Sequence, residues 1–399
     1  MNILYVCHRF PYPPKRGGKI RPFNMIRHLT AQGHSVTVCS LVRSPEEAEE
    51  GRGIAPHCAA FEMGAVREPV QFARMVANLP RLTPSSMGYF YSPDLQRRIR
   101  TLLSSQRFDL IFVHCSSVAQ YVEDVQGIPK ILDFGDMDSQ KWLEYANYKP
   151  WPLSWGYTLE GSKVLWAEKR LARKFDLCTA TTRAERETLD GYGTGARTDW
   201  FPNGVDATFF APTDEPYDPE TISFIGRMDY YPNQECMQRF CDQVWPLLLA
   251  RRPGMKLLIV GADPSQEMRR LGERSGVTVT GSVPDVRPFV RRSAAMVAPL
   301  AIARGTQNKI LEAMAMGVPV ITSSIAAGGV DAVPGEHLRV ADTPEQLAGA
   351  VLNVVQDPLE RQRLSLNGRQ RVLSNYDWAQ SMKRMDEIIR TVLDRKEMA

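Results

Sequence analysis

Several things are missing from this 399-residue chain, and each absence removes a class of protein. None of its seven cysteines (Cys7, Cys39, Cys58, Cys115, Cys178, Cys236, Cys241) forms a C-x-x-C pair, so the spacing suggests neither zinc nor a disulfide framework. Several lie in apolar strand patterns, where free cysteine acts as a small hydrophobe, and the set points to a reducing cytoplasm. No apolar run approaches the ~20 residues needed to span a bilayer. The longest, Ala294 to Ala303, is broken by Pro299. The opening MNILYVCHRF reads as a strand and not a signal peptide, because charged residues follow at once. Acid is missing too: no Asp or Glu precedes Glu46, whereas Arg9, Lys15, Arg16, Lys19, Arg21, Arg27 and Arg43 do. That one-sided start favours anionic partners, phosphates or an acidic membrane surface. The net charge of +4 is too small to suggest a nucleic-acid binder.

What is present is the alternation of strands and helices. Asn2–His8 is an apolar strand, residues 10–21 a loop rich in Pro, Gly and basic residues, and residues 22–31 a helix ended by Gly33-His34. Ser35–Leu41 is the next strand, which completes a βαβ unit with a ligand position at the carboxyl end of its first strand. Gly17-Gly18 in that loop is not G-x-G-x-x-G, yet adjacent glycines bring backbone N–H groups close to a phosphate or simply turn the chain. Residues 66–107 are helical and carry seven arginines, with Phe72, Tyr89, Phe90 and Tyr91 as candidates for a lipid interface. A strand over 108–113 delivers His114, and Lys130–Phe134 delivers Asp133, Asp136 and Asp138. The D-x-D of Asp136 and Asp138 suits substrate or hinge contacts better than a metal, since glycine beside it favours a turn.

After the Pro-rich stretch from Pro212 to Pro219 the rhythm restarts, so two doubly wound α/β domains facing across a cleft are expected. Their bounds are 1–210, 211–375 and a final helix, 376–399, returning to the first domain. The most informative stretch is Asn308 to Ser323, NKILEAMAMGVPVITS. It reads as a short helix stopped by Gly317, then a buried strand beginning at Val320. Asn308, Lys309 and Glu312 share one helix face. That face is either a solvated Lys–Glu pair or a nucleotide-sugar site with Glu312 as hydroxyl acceptor and Gly305-Thr306 as a phosphate cradle.

Taken together, Pro13-Pro14, Gly17-Gly18, Asp109-Leu-Ile-Phe-Val-His114, Phe201-Pro-Asn-Gly-Val-Asp206, Gly226-Arg227, Gly281-Ser-Val-Pro-Asp285 and Glu312-Ala-Met-Ala-Met-Gly-Val-Pro-Val320 resemble the family 4 (group 1) glycosyltransferases of the GT-B fold. Finer features (FIGRMDYYPN, ILDFGDMDSQKW, GTQNKILEAMAMGVPV) are similar to sugar transferases of exosortase and exopolysaccharide clusters. The resemblance implies retaining, metal-independent transfer from a UDP- or GDP-sugar to a glycan or polyprenyl-linked acceptor, with no cofactor. The cysteine usage and the basic first third add the expectation of a cytoplasmic protein, peripheral on the inner face of the membrane. His114, Arg227 and Glu312 match catalytic positions; Gly17, Gly18, Arg227, Val283, Arg304, Gly305, Thr306, Lys309 and Glu312 fall on the donor side. Lys15, Arg16, Arg21, Asp136 and Asp138 are acceptor-side candidates.

Two positions depart from the family pattern. Arg304 stands where the first of two glutamates is expected, and Asn233 where a phosphate-binding lysine is expected. Lys309 or Arg304 is the expected replacement for that cation. The alternatives are a nucleotide-sugar-binding protein that has lost transfer, or an epimerase of the same fold.

Overall fold

The computed structural model describes residues 1–14 and 17–397. The chain divides into two compact units, one made of Met1–Phe201 with Met382–Ala399, the other of Pro202–Ser381. The first holds a seven-stranded parallel sheet of β1 (Asn2–Cys7), β2 (Ser35–Val42), β3 (Ala60–Ala65), β4 (Leu110–His114), β5 (Lys130–Gly135), β6 (Leu177–Ala180) and β7 (Thr198–Trp200). Their order is β3-β2-β1-β4-β5-β6-β7. The second holds β8 (Asp218–Ile225), β9 (Lys256–Val260), β10 (Val277–Gly281), β11 (Ser293–Ala298), β12 (Val320–Thr322) and β13 (Arg339–Val340), in the order β10-β9-β8-β11-β12-β13. In each sheet the chain order reverses beside one strand, β1 or β8, where α/β folds gather ligands at the carboxyl ends.

Helices cover both faces of each sheet, so central strands are apolar throughout and do not alternate. Ile3 to Cys7 are all fully buried, as are Ala294 to Ala298. Each Ile, Leu, Val or Met among them contributes roughly 1.5–3 kcal/mol of transfer free energy. The final helix, Trp378–Glu397, buries Met385, Ile388 and Ile389, and its Asp386 meets His28 of the first unit at 2.8 Å.

Some boundaries differ from those read in the sequence. The first helix is Gly17–Ala31, so Gly17 and Gly18 open a helix and do not lie within a loop. The expected helix over 231–250 is interrupted by a π-helical segment, Phe240–Val244. The half-buried strand β3 and the Asp138–Ala146 helix lie where no regular element was read. Gly317, with φ +69°, does end the Asn308–Ala315 helix, its N–H donating to Met314 O at 3.0 Å.

Candidate functional site

In the first unit a charged cluster forms under the carboxyl ends of β4 and β5. Asp133, fully buried, accepts from Arg21 Nε at 2.9 Å and Nη2 at 3.1 Å. It also accepts from Thr179 Oγ1 at 2.9 Å and His114 Nδ1 at 2.8 Å. Burial alone pushes such a carboxyl up, but Arg21 and His114 outweigh it and hold Asp133 well below the usual carboxylate range. An ionised Asp133 can only accept, so the His114 proton sits on Nδ1. Nε2 is then the ring nitrogen left to meet a hydroxyl, as an acceptor when the ring is neutral. Donation from that nitrogen to a sugar hydroxyl would need the charged ring.

Arg21, expected on the acceptor side, is held in the core instead. It is buried, its guanidinium forks onto Asp133, donates to Phe201 O at 3.1 Å and lies 3.8 Å over the Phe201 ring. It orders the core and offers no charge to an acceptor. Lys15 and Arg16 lie outside the described residues. Gly18 sits beside His8, whose ring centre is 5.7 Å from that of His114 and whose Nδ1 is buried without a hydrogen-bond partner. Burial, with His114 adding to it, holds His8 far below its ordinary value, so it is neutral.

The loop after β5 is clamped. Asp136 accepts from Thr181 Oγ1 at 3.0 Å, Glu185 accepts from Met137 N–H at 2.8 Å, and Glu168 accepts from Ser139 N–H at 3.0 Å. Burial pushes the Glu168 carboxyl up to about 8, and burial with Asp136 nearby raises Asp138. Asp138 opens the Asp138–Ala146 helix, where a carboxylate suits the helix dipole. These carboxylates hold one loop in shape. Among the described residues no group of three or more His, Cys, Asp or Glu side chains is placed to hold a metal ion.

In the second unit β8 and β9 end in glycines because their loops touch. A Cβ on Gly261 would lie 1.7 Å from Gly226 O, so no other residue fits without moving the backbone. Arg227 follows, and its half-exposed guanidinium meets Asp229 at 2.9 Å and Asp263 at 3.3 Å. Asn233 is buried: Nδ2 donates to Arg227 O at 2.8 Å, and Oδ1 accepts from Lys309 Nζ at 2.5 Å. Lys309, on the Asn308–Ala315 helix, also lies 4.7 Å over the Phe224 ring. Its ammonium therefore reaches Asn233, the position in the first turn of the Tyr231–Arg239 helix at which the resemblance expects a lysine.

Glu312 sits one turn further along the same helix. Burial pushes its carboxyl up to about 7, opposed by Lys309, and pushes the Lys309 ammonium down to about 8, opposed by Cys236 and Glu312. Arg304 is exposed, Gly305 adopts φ +62°, and the Thr306 hydroxyl and Asn308 Oδ1 are buried with no hydrogen-bond partner. Val283 packs half-buried against the core. The structure thus gathers Arg227, Asn233, Lys309 and Glu312 around one end of the second sheet. Asn233 acts as a holder for Lys309, a role with no local signal. Asp133, Thr179 and His8 were not singled out as site residues; only Asp133 within an apolar strand hinted at a buried partner.

Comparisons with known proteins bear on the family and the fold. The family model described as "Glycosyltransferase Family 4" matches residues 16–209, and "Glycosyl transferases group 1" matches residues 219–357. The chain belongs to this glycosyltransferase family and has its GT-B fold. Among curated relatives, a GDP-mannose-dependent monoacylated alpha-(1-6)-phosphatidylinositol monomannoside mannosyltransferase of Corynebacterium glutamicum is 23% identical over 52% of this chain and 59% of that protein. An uncharacterized 44.6 kDa protein in the cps region of Klebsiella pneumoniae is 21% identical over 94% of this chain and 96% of that one. The chain spans little more than half the length of several other curated relatives. Among solved structures, a sucrose-phosphate synthase from Thermosynechococcus elongatus superposes with TM-score 0.72 at 18% identity, covering 99% of this chain and 100% of the other. Anabaena HepE in complex with UDP does so with TM-score 0.68 at 15% identity, covering 98% and 100%.

Proposed function

We propose that this protein transfers a glycosyl group from a UDP- or GDP-sugar to a glycan or polyprenyl-linked acceptor, with retention and without a metal. The second unit holds the donor. The departing diphosphate gathers negative charge, which cations and backbone N–H groups must stabilise. Arg227 and Lys309 supply the cations, and the free N–H groups at the start of the Asn308–Ala315 helix supply the donors. An ionised Glu312 accepts from the ribose hydroxyls. In the first unit the His114 Nε2 accepts from a hydroxyl of the reacting sugar or acceptor.

The observation that carries this reading is Lys309 Nζ bound to Asn233 Oδ1 at 2.5 Å. It returns an ammonium to a place where the sequence seemed to have lost one, and so speaks against an impaired binding protein. A place in exopolysaccharide or envelope assembly on the inner face of the membrane rests on the cps-region relative and the motif resemblance.

Thermal shift with UDP and GDP, followed by assay of donor hydrolysis and transfer in chelator, tests the proposal. One nucleotide should raise Tm, and Lys309→Ala should reduce that nucleotide's affinity by roughly 10- to 100-fold, the loss of one charge-assisted contact. Indifference to both nucleotides would overturn the reading. Stabilisation without turnover would point to the binding protein, and an epimerised free donor to the epimerase.

A further inference from the structure

The Glu68–Asn78 helix is inside out. A surface helix of a water-soluble domain turns its apolar stripe inward and its polar face to solvent. Here Gln71 is 1% exposed and donates to Tyr91 O at 3.2 Å, Asn78 is buried, and Arg74 stacks 5.5 Å from the Tyr91 ring. Outward point Val70, Val76 and Phe72, the last 65% exposed, and the chain beyond the helix adds Leu79 and Leu82, the latter 75% exposed.

A second element of the same unit joins this surface. Lys163, on the Leu153–Ala172 helix, donates from Nζ to Asn78 O at 3.0 Å and Leu79 O at 2.7 Å, tying the two helices together. The beginning of that second helix and the turn before it expose Trp151 at 84% and Trp155 at 66%. Residues 69–84 and 145–159 contain no Asp or Glu, while Arg74, Arg81 and Lys149 fall within them. Single exposed hydrophobic residues need no explanation, but two exposed apolar groups on elements tied together through Lys163 mark an interface.

We infer that this surface inserts into the headgroup region of an anionic phospholipid bilayer. Tryptophan is suited to that depth, having an apolar body and one N–H donor. Arg81 and Lys149 border the surface and are attracted to acidic headgroups, while Glu68, exposed at the start of the first helix, opposes them and Arg74 is turned inward onto Tyr91 O. No described helix is long and apolar enough to cross a membrane, so the contact is peripheral. The arginines of the neighbouring Pro93–Ser105 helix contribute less than their number suggests, because Arg97 and Arg98 are paired with Asp94, and Arg98 also with Glu62. Tyr91, expected at a lipid interface, is stacked on Tyr121 instead. The inference does not depend on the transferase reading.

The test is co-sedimentation of the full chain with vesicles of phosphatidylcholine alone and of phosphatidylcholine mixed with phosphatidylglycerol, with tryptophan quenching by brominated lipid. The chain should bind the anionic vesicles, less so at high salt, and bromine should quench it. Phe72→Ser with Val76→Ser, and separately Trp151→Ser with Trp155→Ser, should each weaken partition by about tenfold or more through lost apolar insertion. Arg81→Glu with Lys149→Glu should weaken binding to the anionic vesicles only. The four apolar side chains and Arg81 are exposed and Lys149 is half-buried, so Tm should change little and its shift by UDP or GDP should not change, which separates this outcome from failure of the donor site. Absence of anionic-vesicle binding, or equal binding by the apolar variants, would overturn the inference. So would a dimer in size-exclusion light scattering that the Trp151/Trp155 double variant dissociates, because the surface would then serve a second copy.

Discussion

The two units place charge at their strand ends in opposite ways. In the first, the charges close on one another: Asp133 has two contacts from Arg21, one from His114 and one from Thr179, all buried. In the second they stay open. Arg227 is about half exposed, and burial brings Lys309 down to about 8 and Glu312 up to about 7, each only partly offset by a neighbouring charge. A closed cluster fixes geometry before any ligand arrives, here the direction of His114. An open one leaves charges for an anion to complete, which suits a donor that arrives and leaves with its diphosphate.

The largest effect should come from breaking the closed cluster. Asp133→Asn leaves the Arg21 cation buried without a counter-charge, and should cost about 3–5 kcal/mol in urea unfolding of the first unit. The sign of the pH dependence follows from the same contacts. Because the folded carboxyl lies below its unfolded value, the stabilisation is full above about pH 4 and is lost as pH falls below that. The Asp133→Asn variant should lack this acid step.

A middle-sized effect should appear in the open cluster as a pH dependence of nucleotide binding. Lys309 titrates at about 8, so calorimetric affinity for the stabilising nucleotide should fall as pH rises through that region and the ammonium discharges. Lys309→Arg keeps its proton at every accessible pH and should flatten that limb. On the acid side, affinity should fall as Glu312 gains a proton below about 7, a limb that Glu312→Gln should remove.

The smallest effect concerns the most visible ion pairs. Arg227 touches both Asp229 and Asp263, yet these groups are about half exposed, so Arg227→Ala should change unfolding stability by no more than about 0.5 kcal/mol. Its effect should be on nucleotide affinity. A large loss of stability would mean that the second unit is as closed as the first.

Much of the fold could be read from local pattern. The apolar runs of β1, β4 and β9, the stop at Gly317, and the adjacency of Asn308, Lys309 and Glu312 on one helix face all follow from backbone periodicity. Strand β3 was missed because it is an edge strand, mostly half-buried, and carries Glu62 and Gly64 in place of an apolar run. Arg21 was misassigned because a basic residue near a glycine pair looks the same from sequence whether it faces a ligand or a buried aspartate.

Residue pattern alone specified two wound α/β units, a glycosyltransferase family, and which helix would carry Lys309 and Glu312. Folding chose the partners. Arg21 and Asp133 are 112 positions apart, and Lys309 and Asn233 are 76 apart. Parallel strands need crossover connections, so residues at neighbouring strand ends are always distant in the chain. Folding also chose which face of the Glu68–Asn78 helix meets solvent. Periodicity defines a stripe on a helix, but only the packing of Gln71 and Asn78 against the unit turns that stripe outward.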